Sequence, residues 1–391
     1  MSIVTIIGSG MMGSALAFPA RENGHEVRLV GTPLDRDIID HARKTDQHLK
    51  FDRPFPKGIK YYQVEEMDEA IKGSTFIIGG VSSFGVDWFA ENVLPRVPNE
   101  IPIISVTKGL MNTPDGKLLC YPELWRAALN KLGKTNELCA IGGPCTSYEL
   151  VAHDQSLVAY CGANMATLEM MKATMTTDYY HIMTTTDLIG IESAVALKNG
   201  YALGIALTIG ENIKKSGNED EIHYNSQAAV FLQASREMSV LMQMQGGTQN
   251  SYFVGVGDLY VTVYGGRTRK VGILLGKGLN IDEALDALKG VTLESLVVAS
   301  RVAKALKVKA AKGEIDLADF PLLMHVDEII TDKKPVNIPW EKFTRLYDRF
   351  IDHFSGPFFK NPWQKIDSTM KSFPLTSHVR GSGPISPDLS A

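Results

Sequence analysis

Lys198 is an isolated charge. In "GIESAVALKNGYALGIALTIG" (190–210) it is the one charged residue between Glu192 and Glu211. Ala196, Gly200 and Gly204 make a stripe of small residues at helical spacing, and Val195, Leu197, Leu203, Ile205 and Leu207 fill the other faces. Such a helix is apolar on most sides and belongs in a core. A lysine there either snorkels to water along its four-carbon stem or points into a site. A buried ammonium must find a partner or lose its proton, and one tuned in this way does acid–base chemistry. Asp258 repeats the pattern in "YFVGVGDLYVTVYGGRTRKVG" (252–272), as the one charge before Arg267. Proximity explains both, because a buried charge without a partner is costly. Arg267 follows two glycines, and its fork suits a phosphate. Arg269 and Lys270 read as a solvated basic turn.

These groups need elements to position them. "MSIVTIIGSGMMGSALAF" opens with the β-branched run Ile3–Ile7, then Gly8, Gly10 and Gly13 in G-x-G-x-x-G spacing, then helix formers. "EVRLVG" (26–31) supplies a second strand. Between a strand and a helix, that spacing is the signature of dinucleotide binding: a tight turn, close approach to a pyrophosphate, and close helix–strand packing. Further strand-like runs lie at 75–81, 101–107 and 138–143, with helical patterns such as 86–97 between them. Alternation of this kind gives a doubly wound parallel sheet with ligands at the carboxyl ends of its strands. Lys108 directly follows "IISVT" and so stands at such an end.

The second strand should end near an acidic residue if the cofactor has a free ribose 2′-hydroxyl. Thr32 and Pro33 occupy that place, with Asp35 and Arg36 a few residues later. Arg36 suits a 2′-phosphate and Asp35 a ribose, so both NAD and NADP stay open.

From about residue 190 the pattern is helical, including 226–245, 280–290 and 292–308. We divide the chain into a dinucleotide-binding Rossmann domain (1–189), an α-helical substrate domain (190–374) and a disordered Ser/Pro/Gly-rich tail (375–391). The chain has 391 residues, 44% of them apolar, and a net charge of −4. That is the composition of a globular protein large enough for two domains. It offers no broad basic surface for nucleic acid. Cys120, Cys139, Cys145 and Cys161 lack metal-ligand spacing and read as reduced thiols. With no apolar run of membrane-spanning length and no positive leader, a cytoplasmic protein is expected.

The residues together resemble the soluble NAD(P)-dependent glycerol-3-phosphate dehydrogenases. "GSGMMGSA" is similar to their cofactor loop and "SVTKGL" to a segment with a substrate lysine. "GGPCTSYELVA" resembles their Gly-Pro-x-x-Ala-x-Glu-x-Ala motif, "ALKN" the catalytic-lysine segment, and "NSQAAV" an Asn-x-x-Ala-Ala helix start. "GVGDLYVTVYGGRTRKVG" resembles the signature with a catalytic aspartate, a threonine and a phosphate-binding arginine. The resemblance implies hydride transfer to or from NAD or NADP. It makes Lys198 the acid–base group, oriented with the reacting hydroxyl by Asp258 and Thr262. Lys108 and Asn199 hold substrate oxygens, and Arg267 grips the phosphate beside Thr268. The implied cofactor contacts are Gly8, Ser9, Gly10, Met11, Met12, Gly13, Thr32, Arg36 and Lys108. A phosphorylated polyol substrate and a homodimer follow from the same resemblance.

Three departures stand out. Arg267-Thr268 replaces Arg-Asn, Gln233 replaces an arginine, and Thr146-Ser147 replaces Phe-Ala. The first two should weaken the phosphate site, and the third adds hydroxyls near the cleft. The expected reaction is the interconversion of sn-glycerol 3-phosphate and dihydroxyacetone phosphate. The alternatives are the same chemistry on a related polyol or sugar phosphate, and a dinucleotide-binding regulator without catalysis. The aromatic-rich stretch 339–366 is expected to cover the helical domain or to form an oligomer contact.

Overall fold

In a computed structural model, residues 1–289 and 293–344 are described, and residues 1–343 pack as one unit. The strands, in chain order, are β1 (Ile3–Ile7), β2 (Glu26–Val30), β3 (Lys60–Tyr62), β4 (Phe76–Gly79), β5 (Ile103–Ser105), β6 (Leu110–Asn112), β7 (Leu118–Cys120), β8 (Leu138–Gly142), β9 (Ser156–Gly162) and β10 (Tyr180–Thr185). Eight of them form one sheet in the order β10-β9-β8-β5-β4-β1-β2-β3, and β6 and β7 make a separate hairpin. The order runs outward in both directions from the centre, as in a doubly wound fold.

The expected parallel sheet holds for every pair but one. Strand β9 runs antiparallel to β8, with Ala140 opposite Cys161. The link from Gly142 to Ser156 contains only a short helix (Ser147–Val151), and a connection without a full crossover returns the chain antiparallel. The central strands are buried on both faces; Val4, Ile6, Ile7, Ile77, Ile78, Ile103 and Ile104 are fully enclosed. Two apolar layers result, one on each side of the sheet.

The glycine turn joins β1 to helix α1 (Met11–Ala15). Gly8 has φ +110°, and a Cβ there would sit 2.7 Å from the Gly80 backbone. A Cβ on Gly13 would lie 2.0 Å from the Gly8 carbonyl oxygen. Only glycine lets β1, α1 and the end of β4 meet this closely. Beyond β2, helix α2 spans Arg36–Thr45. The helix expected over 86–97 stops at Asn92.

The helical part is organised around α3 (Leu188–Ser216), a helix of 29 residues. Asp187 caps its start by accepting the Gly190 N–H at 2.9 Å, and Gly217 ends it with φ +70°, as cap chemistry requires. Around it lie α4 (Tyr224–Met244), α5 (Gln249–Tyr264), α6 (Gly266–Gly276), α7 (Glu294–Ala311) and α8 (Pro321–Thr331). The small-residue stripe serves this packing: Gly200 faces Ala299 of α7, and Gly204 faces Leu322 and Val326 of α8. Ile191 of α3 fits against Gly142 at the end of β8, where a Cβ would be 2.5 Å away. That seam brings the middle of α3 to the carboxyl ends of the strands. The aromatic segment beyond residue 344 and the Ser/Pro/Gly-rich tail lie outside the described residues.

Candidate active site

A cleft of about 380 Å3 opens where the sheet meets α3. Gly10, Met11 and Met12 line one side of it, and Lys108, Lys198, Asn199 and Arg267 line the other. Residues from the first, third, sixth and seventh tenths of the chain meet here because β1 and β5 end at this place, α6 begins at it and the middle of α3 passes it.

Lys198 does not snorkel. The residue is 8% exposed, and its ammonium donates to Asp258 Oδ1 from α5. Asp258 is fully buried. Its other oxygen, Oδ2, accepts Lys108 Nζ at 2.6 Å, and Lys108 also donates to the Gly143 carbonyl at 3.0 Å. One carboxylate therefore holds two ammonium groups. Burial lowers the Lys198 pKa to about 8; Asp258 opposes that shift and the second ammonium, Lys108, adds to it. Burial also acts to lower Lys108, but Asp258 overrides it and raises that lysine. The two amines are thus driven apart, with Lys198 the one able to exchange a proton near neutral pH. Thr107, whose hydroxyl donates to the Val81 carbonyl at 2.6 Å, fixes the segment that delivers Lys108.

Arg267 is the second residue of α6 and reaches the cleft rim beside that helix's N-terminus. Gly265, in extended conformation, breaks the backbone between α5 and α6. The segment 252–272 is thus two helices with Arg267 just past the joint. Thr268, the next residue of α6, does not line the cleft. Thr262 uses its hydroxyl within α5, donating to the Asp258 carbonyl at 2.7 Å. It supports the helix that carries Asp258.

On the nucleotide side, a Cβ at Gly10 would meet nothing within 4 Å. Its backbone faces open cleft, while Gly8 and Gly13 are closed against protein. This arrangement fits a pyrophosphate at a helix N-terminus. Ser9 is buried behind the turn, and its hydroxyl has no hydrogen-bond partner. Thr32 gives its hydroxyl to Asp35. Arg36 is exposed and paired with Glu65, away from the cleft lining.

Gln233 was expected to weaken the phosphate site, and the structure corrects that expectation. It is 1% exposed in the helical core and donates to Glu237 Oε1 at 2.8 Å. Glu237 also accepts from Tyr201 and from the Leu322 and Leu323 backbone N–H groups at the start of α8. Residue 233 therefore serves helix packing, because its face of α4 turns to α8. Thr146 likewise has a local task, capping the Ser147–Val151 helix and donating to Glu149 at 2.6 Å.

The sequence did not single out Cys145, Gly143 and Glu294, which also line the cleft. Glu294 opens α7 and accepts the Ser83 hydroxyl at 2.8 Å. An acidic residue in a first helical turn is ordinary dipole chemistry, so nothing in its type marked it out.

Comparison with known proteins agrees with this geometry. Residues 3–168 match the family NAD-dependent glycerol-3-phosphate dehydrogenase N-terminus, and residues 187–341 match the corresponding C-terminus. An NADP(+)-dependent glycerol-3-phosphate dehydrogenase of Archaeoglobus fulgidus is 32% identical over 73% of this chain and 84% of its own length. A glycerol-3-phosphate dehydrogenase [NAD(P)+] of Clostridium botulinum is 27% identical over 76% and 85%. A solved glycerol-3-phosphate dehydrogenase from Coxiella burnetii shares the fold with TM-score 0.70 at 23% identity, covering 89% of this chain and 99% of its own. With both halves matched in order around one lysine–aspartate–lysine cleft, the chain belongs to the NAD-dependent glycerol-3-phosphate dehydrogenase family.

Proposed function

We propose that the chain interconverts sn-glycerol 3-phosphate and dihydroxyacetone phosphate, with Lys198 as the acid–base group. The observation that carries this reading is the buried ammonium of Lys198, held by Asp258 and lowered to about 8 at the wall of the cleft. A nicotinamide dinucleotide, when bound along the glycine turn, supplies the hydride acceptor or donor. In oxidation, neutral Lys198 Nζ takes the proton of the substrate's secondary hydroxyl as its carbon loses hydride. In reduction, the Lys198 ammonium returns a proton to the carbonyl oxygen. Asp258 keeps the amine aimed and stabilises its charged form. Lys108 and Asn199 hold substrate oxygens, and Arg267 holds the phosphate with two parallel hydrogen bonds.

The departures from the family pattern leave this substrate in place. Gln233 and Thr146 serve packing and capping, and Thr268 does not line the cleft. A regulator without catalysis would have no use for a lysine held at this pKa. Four free thiols suit a reducing compartment. Among the described residues, no helix is long and apolar enough to cross a membrane. The test is a panel of ketose and polyol phosphates followed by nicotinamide absorbance. Dihydroxyacetone phosphate should give the highest kcat/KM, and turnover of a larger phosphate with none of dihydroxyacetone phosphate would overturn the assignment.

A further inference from the structure

Lys108 stands at the seam between the sheet and the helical part, and its neighbours in sequence are held from opposite sides. Before it, Thr107 belongs to the sheet: its N–H donates to Ser105 Oγ at 3.1 Å and its hydroxyl to the Val81 carbonyl at 2.6 Å. After it, the chain enters the hairpin β6–β7, whose Leu110 and Cys120 are buried in the apolar core of the helical part. Leu110 pairs with Cys120 across that hairpin, so the residues just outside the pair, Gly109 and Tyr121, meet at its root. A Cβ on Gly109 would lie 2.5 Å from Tyr121 Cε2 and 2.6 Å from the Tyr121 hydroxyl. Tyr121 is 2% exposed and opens the helix Tyr121–Lys131, in the same apolar layer as Phe89 and Trp125. A ring so enclosed has little room to yield.

Helix α7 grips the same hairpin from the other side. Arg301 Nη1 donates to the Leu110 carbonyl at 3.2 Å and to the Tyr121 hydroxyl at 3.5 Å. At the hairpin turn, a Cβ on Gly116 would lie 3.0 Å from Val308, and Lys312 Nζ donates to the Asp115 carbonyl at 2.7 Å. Burial raises the Tyr121 phenol above its ordinary value; Arg301 opposes that shift and Glu294 adds to it. The hydroxyl therefore stays protonated at neutral pH. These contacts fix the backbone from which Lys108 reaches Asp258 Oδ2 and the Gly143 carbonyl.

We propose that Tyr121 and Arg301 are positioning residues for the acid–base pair: they hold the backbone at Gly109 and Leu110 so that the Lys108 ammonium stays on Asp258 beside Lys198. The proposal rests on the reading of Lys198 as the acid–base group and deepens it. Asp258 from α5 and Lys108 from the loop after β5 are the charged groups that act on Lys198, the first raising it and the second lowering it. A Lys108 that withdraws removes a like charge and leaves Asp258 to Lys198 alone. Both changes favour the charged amine, so the Lys198 inflection moves to higher pH. A misplacement of about 1 Å is enough to cost roughly 10²-fold in rate.

Profiles of kcat/KM against pH for the purified full chain, in both reaction directions, test this. Gly109→Ala drives a methyl group into the Tyr121 ring; it should lower kcat/KM about tenfold or more and move the inflection up by at least about half a pH unit. The double variant Gly109→Ala/Tyr121→Leu deletes the Tyr121 atoms that the methyl meets and should return the inflection most of the way to the parent's. Arg301→Met frees the Leu110 carbonyl and should shift the inflection in the same direction as Gly109→Ala, by less. An unmoved inflection in folded Gly109→Ala, or a double variant no nearer to the parent than Gly109→Ala, would overturn the proposal while the reading of Lys198 stands. Should Gly109→Ala not fold, Arg301→Met decides: an upward shift supports the proposal and an unmoved inflection overturns it. A parent without opposed inflections in the two directions would overturn the Lys198 reading and the proposal together.

Discussion

Asp258 stands between two lysines, with Lys198 on one carboxylate oxygen and Lys108 on the other at 2.6 Å. Lys198 and Asp258 are 60 residues apart in sequence, and Lys108 and Asp258 are 150 apart. The arrangement carries one net positive charge in a buried place. It drives the two amines apart: Asp258 holds Lys108 above its ordinary value, and burial lowers Lys198 to about 8.

Lys198→Ala should abolish turnover and leave dinucleotide affinity within about threefold of the parent. General acid–base groups contribute about 10²–10⁴-fold. Lys198→Arg should fail as well, since a guanidinium does not release its proton. The check is steady-state kinetics beside a cofactor titration. Turnover of Lys198→Ala close to the parent value would remove the residue from its role.

Arg267→Lys should raise KM for glycerol 3-phosphate by roughly ten- to a hundredfold, the worth of a lost charge-assisted hydrogen bond, with a smaller change in kcat. A lysine keeps the charge and loses the planar fork. Thr268→Asn should change kcat/KM by less than about threefold, the range of a surface substitution, because Thr268 does not line the cleft. Kinetics on the two variants separate charge from geometry.

Two particulars show what was legible in the sequence. The pairing of Lys198 with Asp258 could be read from two lone charges in apolar segments, since burial cost forces such groups together. The nucleotide turn could be read from Gly8, Gly10 and Gly13: backbone clearance admits no substitute at Gly8 and Gly13, and Gly10 faces the open cleft. Other features depend on tertiary context. Strands β3, β6 and β7 have three residues each, too few to display a period. In β10, Tyr180 and Ile182 are buried while His181 and Met183 face out, but so short an alternation was not distinguished from the surrounding loops. Gln233 and Glu294 illustrate the limit for sites: residue type is fixed by sequence, and the direction a helix face points is fixed by packing.

Glu192 should make stability fall with rising pH. This carboxyl is 1% exposed, and one of its oxygens lacks a partner. Burial raises its pKa to about 8 against a partial pull from Lys108. A raised folded pKa means that the native state binds the extra proton. Its contribution is complete below the unfolded value of about 4.5 and is lost as pH rises through about 8. Urea midpoints measured across that window should decline in the parent and decline less in Glu192→Gln. Parallel slopes for the two proteins would contradict the assignment.

The pH dependence of kcat/KM, measured in both reaction directions, tests the central claim most directly. Lys198 is lowered to about 8. Oxidation of glycerol 3-phosphate needs the neutral amine, so its rate should rise with pH and level off above about 8. Reduction of dihydroxyacetone phosphate needs the ammonium, so its rate should fall above the same value. Asp258→Asn removes the charge that supports the ammonium and should move both inflections to lower pH, with reduced activity. Profiles that bend in the same direction for both reactions, or inflections that stay in place in Asp258→Asn, would contradict the account.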